Sequence, residues 1–455
     1  METMLLGNGV LATGGADPRV IPRGAVAWRG DRIVAVGGED DLLDEYPGAR
    51  ILDAHGGLIL PGLVNLHHHF YSALARGLDP GCEMRTFPEV LDRLWWRLDR
   101  ALDPECVRIS ALLSVAECVR WGCTTVFDHH ASPGCIDGSL DLIAGAVEEA
   151  GISGVLCYEV TDRNGRDGAL AGLEENLRFL EERGADGRIR GVLGLHASFT
   201  VSDETLERVA ARRPAGAGCH VHLAEDPVDV AASREAFGTG PVQRLQRFGL
   251  LDDRSLLAHA IHLEVDDYRT LAEAGCTLIH NPESNANNGV GRLDVPKVTR
   301  LGCTVGLGTD GMAAAMLRAL RFSFLTLRGE TRDPTAGFDS LPSLLRANAT
   351  VAGRFLEEPL LGELVPGAPA DVIAVDSAPP TPLDRDNLFG HLVYGASEAP
   401  VRHTVARGRI VLEDFRHTTL DPQELAAAAR EVAPALWARF RSLDWGTIFL
   451  GGESP

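Results

Sequence analysis

The chain changes its hydrophobic rhythm twice. Near the N-terminus, "GAVAWRGDRIVAVGG" (24–38) alternates apolar and polar positions around Gly30-Asp31, which predicts a hairpin of half-buried strands. The same β character returns in "ELVPGAPADVIAVD" (363–376) and "PVRHTVARGRIVL" (400–412). Between these ends, short apolar runs without strict alternation follow one another: "GLILPGLVNLH" (57–67), "TTVFDHH" (124–130), "GVLCYEV" (154–160), "IRGVLGLHA" (189–197), "CHVHLAE" (219–225), "SLLAHAIH" (255–262), "CTLIHNP" (276–282) and "CTVGLGTDG" (303–311). Helical stretches such as "DLIAGAVEEAG" (141–151) and "LEENLRFLEERG" (173–184) separate them. Continuous apolar strands joined by helical crossovers suit a parallel sheet covered on both faces. Eight such units predict an α/β protein built on a (β/α)8 TIM barrel. The expected layout is a barrel over 59–359, a small β-sandwich domain made from both termini (1–58 plus 360–420) and a helical tail over 421–455.

Polar residues recur at one end of these strands. His67 and His69, His129 and His130, His196, His222 with Glu225, His259, His280 and Asp310 stand at or just beyond the C-terminal end of a predicted strand. In a barrel that end carries the active site. Within "HHH" (67–69), residues two apart point the same way, so His67 and His69 share a side and His68 faces the other. An HxH pair alone is a weak signal, equally compatible with histidines held by backbone hydrogen bonds. His222 and Asp310 add a third imidazole and a carboxylate, a set that suits one divalent cation and leaves a position for water. Glu225 is then placed to carry protons between water and a leaving nitrogen. Asp310 doubles as ligand and proton acceptor, and His259 orients the water or an oxyanion, or supports the site from behind.

Composition narrows the partners. The net charge of −21 argues against nucleic acid, whose phosphates the chain would repel. The short PCxxC element of nucleic-acid deaminases is absent. Nine cysteines without a CxxC pair point to a reducing, cytoplasmic setting. No signal peptide is evident at the N-terminus, and no apolar run approaches the ~20 residues needed to cross a bilayer. Lys297 is the only lysine.

Taken together, "PGLVNLHHH", "GCTTVFD", "HVHLAE", "AHAIH", "HNPESN", "LGTDG" and "GELVPGAPADVIAVD" resemble the amidohydrolase superfamily, in its subgroup of cytosine, guanine and S-adenosylhomocysteine deaminases and triazine hydrolases. The resemblance spans about 5–415. It implies a distorted barrel, a composite β domain and one catalytic metal, zinc or iron. It also implies His67, His69, His222 and Asp310 as ligands, Glu225, His259 and Asp310 as catalytic residues, and His280 near the water. Binuclear members bridge two metals with a carboxylated lysine after the fourth strand. Here that strand ends "LHASF" (195–199), which favours a single metal. Blocks such as "HHHFYSALARGL", "LWWRLDRALD", "DHHASP", "TDRNG" and "SNANNGVG" are similar to the SsnA-type aminohydrolases, a branch associated with purine breakdown. The block "HHHFY" is similar to 8-oxoguanine deaminases too, but Ser72 stands where those carry a glutamine.

The implied function is metal-dependent hydrolytic deamination of a small heterocyclic amine such as a purine, pterin or pyrimidine. Hydrolysis of a cyclic amide, or of another ring substituent, would use the same activated water. A non-catalytic scaffold would be expected to have lost ligands. Trp95, His129, His196 and His280 are the candidate substrate-binding residues, with Trp95 and Trp96 offering flat faces to a ring or packing a helix. Arg97 reads as a surface ion pair in preference to a partner for an acidic group of a substrate. Asp162, Arg163 and Asn164 read as a polar loop that touches substrate or turns the chain. A homo-oligomer, dimer or larger, is expected from the resemblance.

Overall fold

The computed structural model describes residues 2–183 and 187–445. Nine strands form one continuous outer sheet. Thr3–Ala12, Val20–Arg29, Arg32–Gly38, Arg50–Asp53 and Leu58–Pro61 come from the N-terminal side, and Val372–Val375, Val401–Ala406, Arg409–Glu413 and Arg416–His417 from the C-terminal side. The join is Leu58–Pro61, antiparallel to Val372–Val375 and parallel to Val10 and Leu11. The sandwich is therefore a single sheet curled over its own core of Leu6, Val26, Trp28, Ile33, Val372 and Val405. Its two far turns meet: Trp28 Nε1 donates to Gly408 O at 3.0 Å. A Cβ at Gly408 would lie 1.8 Å from Gly30 O, and its φ is +77°, so only glycine serves there.

The apolar run 57–67 is thus two strands. It breaks at Gly62, where a Cβ would lie 2.3 Å from Thr124 Oγ1. Residues up to Pro61 belong to the outer sheet, three beyond the boundary expected from the sequence. Barrel strand one begins at Leu63.

Eight parallel strands follow in chain order: Leu63–His68, Cys123–His130, Ser153–Val160, Leu193–Ala197, Cys219–Leu223, Leu256–His259, Thr277–His280 and Thr304–Leu307. Every residue of the first seven is buried, which explains their largely apolar character without strict alternation. Predicted helices lie between them, including Ser139–Ala150 and Gly165–Arg183. The barrel is nearly closed. Strands one and eight are joined by a bridge between His68 and Asp310 and by loop amides, Thr309 N and Asp310 N donating to His67 O at 3.0 and 2.9 Å. Asn348, from the helix Ser343–Leu356, fills this seam. Its amide nitrogen donates to Val64 O and Leu307 O at 2.7 and 2.8 Å, and its oxygen accepts from Leu307 N at 2.7 Å. One side chain thereby replaces part of a strand ladder.

The helix Pro422–Ser442 starts at Asp421, whose carboxylate accepts from Gln423 N and Glu424 N. Residues 446–455 of the expected tail lie outside the described residues. Arg97 is not the surface ion pair expected: it is 1 % exposed, donates to Phe440 O, Pro80 O and Arg93 O, and stacks on Phe440 and Trp445. The tail helix holds the segment that carries Trp95 and Trp96. Among the described residues, no helix is long and apolar enough to cross a membrane.

Candidate active site

Strand one delivers His67 and His69, strand five His222, and the turn after strand eight Asp310. His69 Nδ1 donates to His129 O at 2.5 Å and His222 Nδ1 to His196 O at 2.8 Å. With both Nδ1 protons so used, two neutral rings would turn Nε2 lone pairs on each other across 3.2 Å. Asp310 Oδ1 lies 3.0 Å from His69 Nε2 and 3.6 Å from His67 Nε2, and His67 Nε2 is buried without a hydrogen-bond partner. Facing lone pairs and a carboxylate in a buried space require a positive charge between them. Burial opposes charge on His69, but Asp310 prevails and lifts its pKa to about 9. Burial drives His67 down to about 3 and His222 well below the usual imidazole value, so both are neutral donors. Burial would raise Asp310, but its contacts with His67 and His69 hold it well below the usual carboxylate range. This donor set fits a divalent cation.

Outer contacts fix the donors. His67 Nδ1 lies 2.9 Å from His220 Nε2. His68 points away from the cluster, as alternation predicts, and donates through Nδ1 to Asp310 O at 2.6 Å, bracing the aspartate from behind. Asp310, His259 and Ala224 all have positive φ, at 54°, 71° and 46°. Strained backbone therefore gathers at the ends of strands five, six and eight, beside the donors.

Glu225 and His259 border the cluster. Glu225 Oε2 is 3.4 Å from His259 Nε2, and its Oε1 accepts from Asn288 Nδ2 at 3.3 Å. Burial and the Asp310 charge push the Glu225 carboxyl well up. His259 donates through Nδ1 to Asn285 Oδ1 at 2.8 Å, which leaves its buried Nε2 facing Glu225 and, at 3.8 Å, Asp310 Oδ2. Ser284 donates to Asp310 Oδ2 at 2.5 Å.

A pocket opens onto these groups, walled by Tyr71, Phe87, Leu91, Trp95, Trp96 and Phe199. A π-helical turn at Leu91–Trp95 turns both consecutive tryptophans toward it, Trp95 beside Tyr71 and Trp96 beside His196. His196 also lines the pocket. Its Nδ1 bonds Thr200 Oγ1 at 2.6 Å, and burial lowers its pKa to about 3.

His129 and His280 do not line this pocket, contrary to the substrate-binding role expected of them. His129 lies inside the barrel below His222, donating through Nε2 to Leu195 O and His220 O at 3.1 and 3.2 Å. Its neighbour His130 bonds Ser132 Oγ at 2.9 Å and packs between Tyr71 and Tyr158. His280 is fully buried off the pocket. Both His129 and His280 sit near the C-terminal end of a strand, but a strand end has an inner layer as well as a mouth.

Sequence reasoning passed over His220, which shares a face with His222 by the same two-residue period. It also passed over Asp99 and Glu159, which line the pocket, and read Arg163 only as part of a polar loop. Arg163 joins the two carboxylates: NH1 and NH2 donate to Asp99 Oδ2 at 3.3 Å, and NH2 pairs with Glu159. Two segments distant in sequence make this group, so no local motif announces it. His129, Glu159 and His222 also approach one another. They make a poor second metal site, because Glu159 is already paired with Arg163 and His222 Nδ1 with a carbonyl.

Residues 58–411 match the sequence profile of the amidohydrolase family. The chain is 32% identical to the 5-methylthioadenosine/S-adenosylhomocysteine deaminase of Pelotomaculum thermopropionicum, over 94% of this chain and 98% of that protein. It is 31% identical to the 5'-deoxyadenosine deaminase of Methanosarcina mazei, over 97% of this chain and 100% of that one. Among solved structures, the zinc-bound adenosine deaminase of Xanthomonas campestris superimposes with a TM-score of 0.82 at 24% identity, covering 97% of this chain and 99% of that one. That last likeness concerns the fold.

Proposed function

The chain belongs to the amidohydrolase family, and from that premise we propose a metal-dependent hydrolytic deaminase of a small heterocyclic amine. Water adds to the ring carbon that bears the exocyclic amine, and ammonia leaves. Purines come first among the ring systems, because the two relatives are named for adenine nucleosides; pterins and pyrimidines follow. The observation that carries the reading is the convergence of His67, His69, His222 and Asp310 on one buried point, with Glu225 and His259 beside it.

In this reading His67, His69, His222 and Asp310 hold one divalent cation, zinc in preference to iron. Such a cation supplies Lewis acidity that brings water to nucleophilic strength near neutral pH. Asp310, anchored by Ser284, accepts the proton that the attacking water gives up. Glu225 supplies a proton to the ring nitrogen and recovers one from the added hydroxyl as the carbonyl forms, while the proton held by Asp310 passes to the leaving amine. His259, neutral and held by Asn285, accepts from the Glu225 acid and keeps it turned toward the ring. Trp95 and Trp96 hold the ring flat, and His196 meets its polar edge. His129 and His220 support the ligands from inside the barrel. Nine free cysteines support a cytoplasmic location, and a homo-oligomer is proposed with it.

The test is ammonia release by purified protein of known metal content, offered amino-substituted purines, pterins and pyrimidines. Release with one metal per chain supports the reading. Metal-loaded protein that frees no ammonia but opens a cyclic amide would replace it.

A further inference from the structure

The lining of the pocket is rich in carboxyl groups. Asp99, Glu159, Glu225, Asp226, Asp229 and Asp310 all line it, and no lysine or arginine does among the described residues. The metal donors and Glu225 explain the acids at its base. They do not explain the wall that carries Asp99 and Glu159.

Arg163 stands behind that wall, and its contacts are occupied. It pairs with Asp99 and Glu159, donates through Nε to Thr161 Oγ1 at 3.1 Å and lays its guanidinium over Trp96 at 4.7 Å. One cation thus serves two carboxylates. Asp99 remains incompletely matched: Oδ2 has Arg163, whereas Oδ1 is buried with no hydrogen-bond partner. Trp96 Nε1 is buried without a partner as well. A buried carboxylate oxygen left unpaired is costly unless a donor arrives with a ligand.

We infer that the pocket takes an uncharged or cationic heterocycle whose N–H or O–H groups meet Asp99, and rejects the same ring carrying a carboxylate or phosphate. The inference rests on the pocket assigned above to substrate, and it narrows the substrate by charge. A substrate anion would meet Asp99 and Glu159 with no cationic side chain free to answer it. A donor-bearing edge would complete Asp99 Oδ1 and neutralise the wall.

The experiment compares three ligands that share one ring: adenosine, its 5′-monophosphate, and 5′-amino-5′-deoxyadenosine. Binding to the metal-containing protein is measured by calorimetry, with ammonia read in the same samples. The monophosphate should bind on the order of 100-fold more weakly than adenosine, and the amine at least as tightly as adenosine. Asp99→Asn should narrow the spread between amine and monophosphate about tenfold. In the unaltered protein, added salt should narrow it too, so the result does not depend on the variant folding. Monophosphate binding equal to or tighter than adenosine overturns the inference, as does failure of all three to bind. The expected binding order without ammonia keeps the charge selection and removes adenosine from the substrates of the proposed deaminase.

Discussion

Glu225→Gln separates proton transfer from metal binding. The side chains are nearly the same size, and Glu225 is 9 % exposed within a fixed frame of His259 and Asn288, so packing should survive. The amide still accepts from Asn288, but it cannot carry a proton to the ring. Loss of a positioned general acid–base lowers turnover by roughly 10²–10⁴-fold, which is about 3–5 kcal/mol of barrier. The nearest donors to the cation site are His67, His69, His222 and Asp310, so metal content should stay at the parent value. KM should change far less than kcat, because the missing interaction belongs to the transition state. The assay is steady-state ammonia release, normalised to metal measured by mass spectrometry. Turnover equal to the parent at equal metal would refute the proton-carrier role. Metal lost in step with turnover would make Glu225 a ligand.

His67→Ala and Asp310→Ala should each lose bound metal as well as turnover, whereas Trp95→Ala should keep the metal and raise KM. Metal binding to stripped protein at neutral pH should release about one proton, because Asp310 lifts His69 to about 9 and that proton must leave before Nε2 can ligate; calorimetry in buffers of different ionisation enthalpy reads it, and zero release would contradict the assignment. The sign for stability follows. A folded-state pKa raised from 6.5 to about 9 contributes stability to metal-free protein that is complete below pH 6.5 and lost as pH rises through about 9, measurable as a falling Tm. Asn348→Ala should cost roughly 2–4 kcal/mol in urea unfolding, since it leaves buried Val64 O, Leu307 O and Leu307 N unpaired at the barrel seam.

The barrel was legible because its strands are buried on both faces and therefore largely apolar without strict alternation. The clustering of His67, His69, His222 and Asp310 was legible because His67 and His69 obey a two-residue period, and His222 and Asp310 close later strands. Periodicity did not separate Leu58–Pro61 from Leu63–His68, since both are apolar and only the contact of Gly62 with Thr124 divides them. Depth along a strand was equally hidden: His129 and His196 both occupy strand ends, yet one lies beneath the metal donors and the other faces the pocket. Arg97 resembled a surface charge because its acceptors are backbone carbonyls and its stacking partners lie in the C-terminal segment. The Asp99–Arg163–Glu159 group depends on strand three and the tryptophan segment meeting in space, which no local pattern records.

The central claim is that one metal, held by these four side chains, drives release of ammonia. Its most direct test is to strip the metal with a chelator, return zinc or iron in measured steps, and follow ammonia from the best substrate. The account predicts no turnover in stripped protein and full recovery at one equivalent per chain. Turnover that persists without metal, or recovers only at two equivalents, would contradict it.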